Sequence, residues 1–165
     1  MITIFVEGNS DEYLIDSLFR DIQHQIIPYS SKKYVDIVRW IKTLDKTDQQ
    51  YFFLFDTDGK PADVKLKEIL NKIKNLKKEN CFPVVVEIES WYRAGCCEEV
   101  QKKFKLKPLL DTEKYTKEKM LYEFKKQPLA VIYTEILQNF SIAEAMTLNK
   151  SFSNFYLKIN DLINK

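Results

Sequence analysis

The sequence predicts an α/β protein built on a mostly parallel sheet of about four strands flanked by helices, with a helical C-terminal part. Three observations carry this. Short runs of β-branched and large apolar residues alternate with amphipathic stretches through the first half of the chain. From about Trp91 onward only helical spacing remains. Three of the strand-like runs end in acids.

Met1–Val6 reads as a short buried strand, closed by Glu7-Gly8. Asn9 or Ser10 can cap the helix that follows, with Asp11 and Glu12 in its positive first turn and Leu14, Ile15, Leu18, Phe19 and Ile22 at helical spacing. Ile26–Tyr29 is a weaker second strand, and Tyr34–Leu44 a second helix. Tyr51–Phe55 is the strongest strand, and it runs into Asp56, Asp58 and Gly59. After Pro61, a favoured first-turn residue, Leu66, Ile69, Leu70, Ile73 and Leu76 give an amphipathic helix with lysines opposite. The fourth strand is expected at Phe82–Ile88. Leu121–Phe124, Leu129–Phe140 and Phe152–Ile163 are expected as helices, punctuated by Pro108 and Pro128. No repeat, low-complexity linker or boundary stands out, so residues 1–165 read as one domain, a sheet-forming core over 1–90 and a helical extension over 91–165.

A chain of 165 residues can bury about two thirds of the surface its unfolded form exposes, so it needs no disulfide or zinc staple. The three cysteines form no C-x-x-C pair and His24 is the single histidine, too few ligands for a tetrahedral zinc site. An odd cysteine count suits a reducing compartment. Charged Glu7 and Asp11 interrupt the amino-terminal apolar stretch, and no run approaches a membrane span, so a cytoplasmic protein is expected.

The net charge of +2 conceals clustering: residues 60–78 hold seven lysines against Asp63 and Glu68, and residues 101–107 add four lysines without an acid. The remainder is therefore acidic, and positive charge is concentrated where it can meet a polyanion. A solvated helix face explains such lysines equally simply.

The strand-end acids are the sharper signal. Residues i and i+2 of a strand point to one side, so Asp56 and Asp58 can aim their oxygens together if the extended backbone persists. Carboxylates held that close repel unless a cation lies between them, and a hard ion such as magnesium suits oxygen donors. In open α/β sheets ligands bind beyond the carboxyl ends of the strands, where Glu7, Asp56, Asp58, Glu87 and Glu89 all fall. The plainer alternative is a polar turn with Gly59 supplying a positive φ. A calcium loop fails because Lys60 and Lys67 stand where ligands belong. Three glycines, Gly8, Gly59 and Gly95, cannot make a P-loop or dinucleotide fingerprint. His24 lies away from the strand ends, so no Ser-His-Asp arrangement is available.

"IFVEGNSDEYL" followed by "FFLFDTDG" resembles the Toprim domain of topoisomerases, primases, overcoming-lysogenization-defect (OLD) nucleases and RecR-type repair proteins. The pattern covers roughly Met1–Ile88, while "EIESWYRAG" and "SIAEAMTLNKSFSNFYLKINDL" resemble small stand-alone Toprim-like proteins. The resemblance implies Glu7 as metal ligand or general acid/base, Asp56 and Asp58 as magnesium or manganese ligands, and Asp11 as a second-metal ligand. Asp11 also suits a plain helix amino-terminal charge. Glu89 matches an E-x-W element and is preferred to Glu87 as a site acid, with Trp91 a packing residue. Lys60 is a candidate for contacting the scissile phosphate, as is Lys150.

Topoisomerases and primases of this class need further domains, so the expected activity is a small metal-dependent nuclease acting on DNA or RNA. Its nucleic-acid contacts would be Lys60, Lys65, Lys72, Lys74, Lys77 and Lys78 on a helix over Pro61–Lys78, with Lys102, Lys103 and Lys105. The alternative is a non-catalytic Toprim-like binding or assembly module working beside a partner such as an ATPase.

Overall fold

The computed structural model describes residues 1–163. The chain divides into two compact units, Met1–Pro83 and Val84–Lys165.

The first unit carries the alternation expected from the sequence: β1 (Ile2–Val6), α1 (Asn9–Leu18), β2 (His24–Pro28), α2 (Tyr34–Lys46), β3 (Tyr51–Asp56) and α3 (Ala62–Lys72), with β4 (Cys81–Val84) at its end. The strands form a sheet in the order β2-β1-β3-β4, and β1 pairs in parallel with both β2 and β3. Each parallel step needs a crossover, and α1 and α2 supply two of them.

Strand alternation sorts the side chains onto two faces. Phe5, Phe53 and Phe55 share a buried cluster with Ile37, Ile41 and Leu44 of α2 and Ile69 of α3. Ile4, Val6, Phe52 and Leu54 occupy the alternate positions and are also buried. A strand buried on both faces has no room for polar side chains, which is why β3 reads as five consecutive large apolar residues.

Four elements are shorter than their apolar patterns suggest, among them α1, which ends at Leu18 short of Phe19 and Ile22, and α7, which ends at Gln138 short of Phe140. β4 stops at Val84 rather than running to Ile88, because Val86 adopts φ 63°, a left-handed conformation that a β-branched residue rarely takes. Pro83, which has no N–H to give to a ladder, fits the edge position of β4. The lysine-rich helix α3 ends at Lys72, and Asn75 is left-handed at φ 73°. Lys74, Lys77 and Lys78 therefore lie beyond the helix instead of continuing its face.

The second unit is helical as expected from Trp91 onward, with α4 (Glu89–Ala94), α5 (Glu98–Phe104), α6 (Lys117–Glu123), α7 (Leu129–Gln138), α8 (Ile142–Leu148) and α9 (Lys150–Ile163). The sequence did not mark α4, α5 and α8, which are seven residues or shorter and bury a side too brief to show a period. Phe152, Phe155 and Ile159 of α9 are buried within this unit. Trp91 is 0% exposed, packs its ring on Phe155 and edge-on to Phe152, and donates its indole N–H to Ser151 Oγ at 2.8 Å. It is a packing residue.

All three cysteines are free thiols. Among the described residues no helix is long and apolar enough to cross a membrane.

Candidate functional site

Glu7 follows the last residue of β1, and Asp56 is the last residue of β3. Parallel pairing registers Thr3, Ile4 and Phe5 with Tyr51, Phe52 and Phe53, so the two strands run out together and bring these acids to the same edge. This is the carboxyl end of the sheet, where the strand-end rule places ligands.

Asp58 arrives there by a different route from the one its spacing suggests. The extended backbone ends at Asp56. Asp58 and Gly59 both have positive φ, 50° and 75°, and Lys60 N–H closes the turn onto Thr57 C=O at 2.9 Å. An Asp-Gly pair tolerates two left-handed residues in succession, which is the requirement of a type I′ turn. The turn expected at Asp58-Gly59 is thus present, and the Asp58 carboxylate it carries is paired to Lys65.

Electrostatics link these side chains. The Glu7 carboxyl is held above the ordinary carboxylate range, chiefly by burial and then by the negative charge of Asp58, with the Asp56 backbone amide and Lys65 acting the other way. Lys65 is ion-paired to Asp58. Burial alone would pull the Lys65 ammonium down, but the hydrogen bond to Asp58 and the charges of Asp58, Glu7 and Glu68 leave it raised. Burial pushes the Tyr29 hydroxyl up, followed by the charges of Glu7, Asp56, Asp11 and Tyr34. Glu7, Asp11, Asp56 and Asp58 thus share one electrostatic neighbourhood within the first unit.

Asp11 is 4% exposed, and its Oδ2 accepts the Gly8 N–H at 3.1 Å. The helix-capping role is thereby filled. Lys60 pairs with Glu68 at 2.8 Å and 2.9 Å. Lys77 pairs with Asp45 at 2.6 Å, and Lys72 lies 5.9 Å from the Tyr34 ring centroid. Lys74 and Lys78 are exposed.

Glu89, in the second unit, is 4% exposed and accepts a hydrogen bond from the Tyr133 hydroxyl. Burial holds its carboxyl above the usual range, with Tyr133 offsetting part of the effect. Glu87 Oε2 accepts the Lys117 N–H at 2.8 Å. The second resembling stretch is explained by packing: Asn149 Oδ1 accepts from Ser151 Oγ and from Phe152 N–H, capping α9, while Asn149 Nδ2 donates to Thr112 Oγ1 at 3.1 Å. Lys150 begins α9 and is exposed. On α5, Lys102 pairs with Glu98 and Lys103 with Glu135, whereas Lys105 closes the helix with φ 56°.

Sequence reasoning did not single out Tyr29, Lys32 and Tyr34. They come from the β2-to-α2 connection, whose Y-S-S-K-K-Y composition offers aromatic faces and cations next to Glu7. Together with Lys65, Lys72 and Phe53 they line a cavity of about 340 Å³.

The donor chemistry of Glu7, Asp56 and Asp58 fits a hard divalent cation: all oxygens, with two carboxylates whose mutual repulsion such a charge would relieve. In the conformation present, Asp58 is turned to Lys65, and among the described residues no group of three or more His, Cys, Asp or Glu is arranged to hold a metal ion.

No family model and no curated protein matches the chain. A solved structure does: the C-terminal region of the Burkholderia pseudomallei OLD protein, with a TM-score of 0.58 and 17% identity over 98% of each chain. The chain shares the fold of that region along nearly its whole length.

Proposed function

We propose that the protein is a small metal-dependent nuclease that hydrolyses phosphodiester bonds of nucleic acid, working in the cytoplasm. The observation that supports it most directly is the placement of Glu7 and Asp56 together at the carboxyl ends of the paired strands β1 and β3, with the charge of Asp58 acting on Glu7. Carboxylates gathered beyond the strand ends of an α/β sheet stand where such sheets bind ligands. The fold shared with the OLD protein region supports the same reading.

Glu7, Asp56 and Asp58 would hold magnesium or manganese, with Asp11 nearby for a second ion. A bound ion would neutralise charge at the phosphate and acidify a water molecule. The chain's own groups orient and move protons. Glu7, whose carboxyl burial and the Asp58 charge hold above its ordinary value, is suited to accept or return a proton. Lys65 supplies a positive charge that acts on Asp58 and Glu7, and Lys60, two residues after Asp58, would meet a phosphate oxygen once released from Glu68.

The test is cleavage of labelled single- and double-stranded DNA and RNA with magnesium or manganese, comparing the natural chain with Asp56→Asn and Asp58→Asn. Metal-dependent cutting lost in both variants is the expected result. Cutting that persists in both would remove these acids from the reaction.

The ion pair between Lys65 and Asp58 favours a second reading, a binding or assembly module whose cation site is filled by its own lysine, working beside a partner such as an ATPase. Thermal unfolding separates the two. A true site is stabilised by magnesium or manganese through mass action, and that gain disappears in Asp58→Asn. A module with a substituted site shows no carboxylate-dependent gain.

A further inference from the structure

The cavity beside Glu7 combines three kinds of surface. Tyr29 and Phe53 stack at 4.6 Å and 20°, and the Tyr29 hydroxyl donates to Leu54 C=O at 3.1 Å, so one aromatic wall is fixed to the sheet. Ile69 and Ile73 of the α3 end are buried and add apolar lining. Tyr34, at the start of α2, is 50% exposed and offers a second ring, with the Lys72 ammonium 5.9 Å from its centroid. Lys32, Lys65 and Lys72 place three cations on the lining, against Glu7 and Glu68, and Glu68 is already paired to Lys60.

A cavity whose lining combines aromatic rings, two isoleucines and three lysines suits an aromatic ring that carries a phosphate. An exposed tyrosine offers a sequence-tolerant stacking face to any base, and nearby lysines track the backbone. A base inside a duplex already has both faces covered by its neighbours, and extracting it costs unstacking and unpairing. An unpaired nucleotide enters without that cost.

We propose that this cavity seats an unpaired nucleotide next to the acidic site, its base against Tyr34 and its phosphate held by Lys32 and Lys72, so that the substrate is single-stranded nucleic acid or a strand end. The inference deepens the nucleic-acid reading of the acidic site and rests on it. It assigns strand preference to Tyr34, Lys32 and Lys72, leaving the carboxylates to the bond that is cut.

The test measures binding without cleavage, in chelator-containing buffer free of divalent ions, by fluorescence anisotropy. The probes are a labelled oligothymidylate of about ten nucleotides, within the site size of such grooves, a duplex of equal length, and free thymidine monophosphate as competitor. The expected result is binding of the single strand in preference to the duplex, about tenfold weaker binding for Tyr34→Ala, and retained binding for Tyr34→Phe, which keeps the ring. Lys72→Ala weakens the strand and the duplex unequally, and Tyr122→Ala, an exposed tyrosine of the second unit, changes neither. Equal or tighter binding of the duplex, wild-type affinity in Tyr34→Ala, or thymidine monophosphate competing as well as the strand would each overturn the proposal. Cutting is assayed separately with magnesium or manganese: loss of cutting in Asp56→Asn with strand binding intact, or absence of cutting altogether, bears on the nuclease reading and leaves the cavity's preference measured.

Discussion

The Lys65 ammonium is bonded to Asp58 and also acts on the charge of Glu7, so one lysine serves two carboxylates at the mouth of the sheet. A divalent cation at the same acids must compete with it. Lys65→Gln is therefore expected to bind manganese more tightly, by up to about fivefold, since Asp58 is half exposed and such pairs contribute at most ~1 kcal/mol. Melting temperature measured against manganese concentration checks this. An unchanged or weaker midpoint in the variant would mean that Lys65 does not occupy the cation's place.

Glu89, in the second unit, provides a pH test. Its carboxyl is raised above the ordinary value by burial, so the native state holds the proton longer than the unfolded chain does. The sign follows from linkage: stability falls as pH rises from the ordinary carboxylate value through the raised one. Glu89→Gln does not titrate and keeps an acceptor for Tyr133. The melting temperature of the variant relative to the natural chain is expected to be higher at pH 8 than at pH 4. A difference independent of pH would show that Glu89 is not held protonated.

Trp91 is enclosed by Phe152 and Phe155 and anchored to Ser151. Trp91→Ala should lower stability by about 3–5 kcal/mol, the usual cost of deleting a buried indole. Trp91→Phe should retain most of the packing and lose the hydrogen bond. Denaturant unfolding reads both, and a surface-like loss below about 0.5 kcal/mol for the alanine variant would contradict the burial.

Gly95 closes α4, and a Cβ there would overlap the ring of Phe140, whose backbone bridges Cys96. Phe140 packs in turn on Phe152, so the ring has limited freedom to move away. Gly95→Ala is expected to cost about 1–3 kcal/mol through overpacking. An alanine variant with unchanged midpoint would show that Phe140 swings aside freely.

The thiols should separate by accessibility. Burial pushes Cys96 and Cys81 up to about 12, and Cys96 is fully covered. Alkylation at pH 8 followed by mass spectrometry should label Cys97 first and leave Cys96 unmodified until the protein is unfolded. Early labelling of Cys96 would indicate local opening of the α4 end.

Much of the first unit was legible because its strands are buried on both faces and its helices are long enough to show a period. The apolar run Tyr51–Phe55 and the spacing of Ile37, Ile41 and Leu44 each mark an element directly. β4 was over-read, since a Val-Val-Val run says nothing of the left-handed turn at Val86. Among the short helices of the second unit, α4 escaped because Ser90, Trp91, Tyr92, Arg93 and Ala94 are all buried and leave no exposed face to set a period, while α5 and α8 bury one residue each. At the site, the acids were legible from their place after strands. The counter-charge of Lys65 was not, because it depends on how the turn at Asp58-Gly59 leads into α3, and the stacking faces of Tyr29 and Tyr34 were not, because their contacts join residues distant in sequence.

The lysine-to-acid pairing described above also sets how strongly ionic strength should govern any polyanion held by this chain. A lysine that leaves a carboxylate for a phosphate exchanges one partner for another and frees an acid that itself recruits cations. Lys60, Lys65, Lys77, Lys102 and Lys103 are all in that condition. The slope of log affinity against log salt should thus follow the lysines without carboxylate partners among the ion pairs, such as Lys72, Lys74, Lys78 and Lys105, and be shallower than a count of basic residues implies.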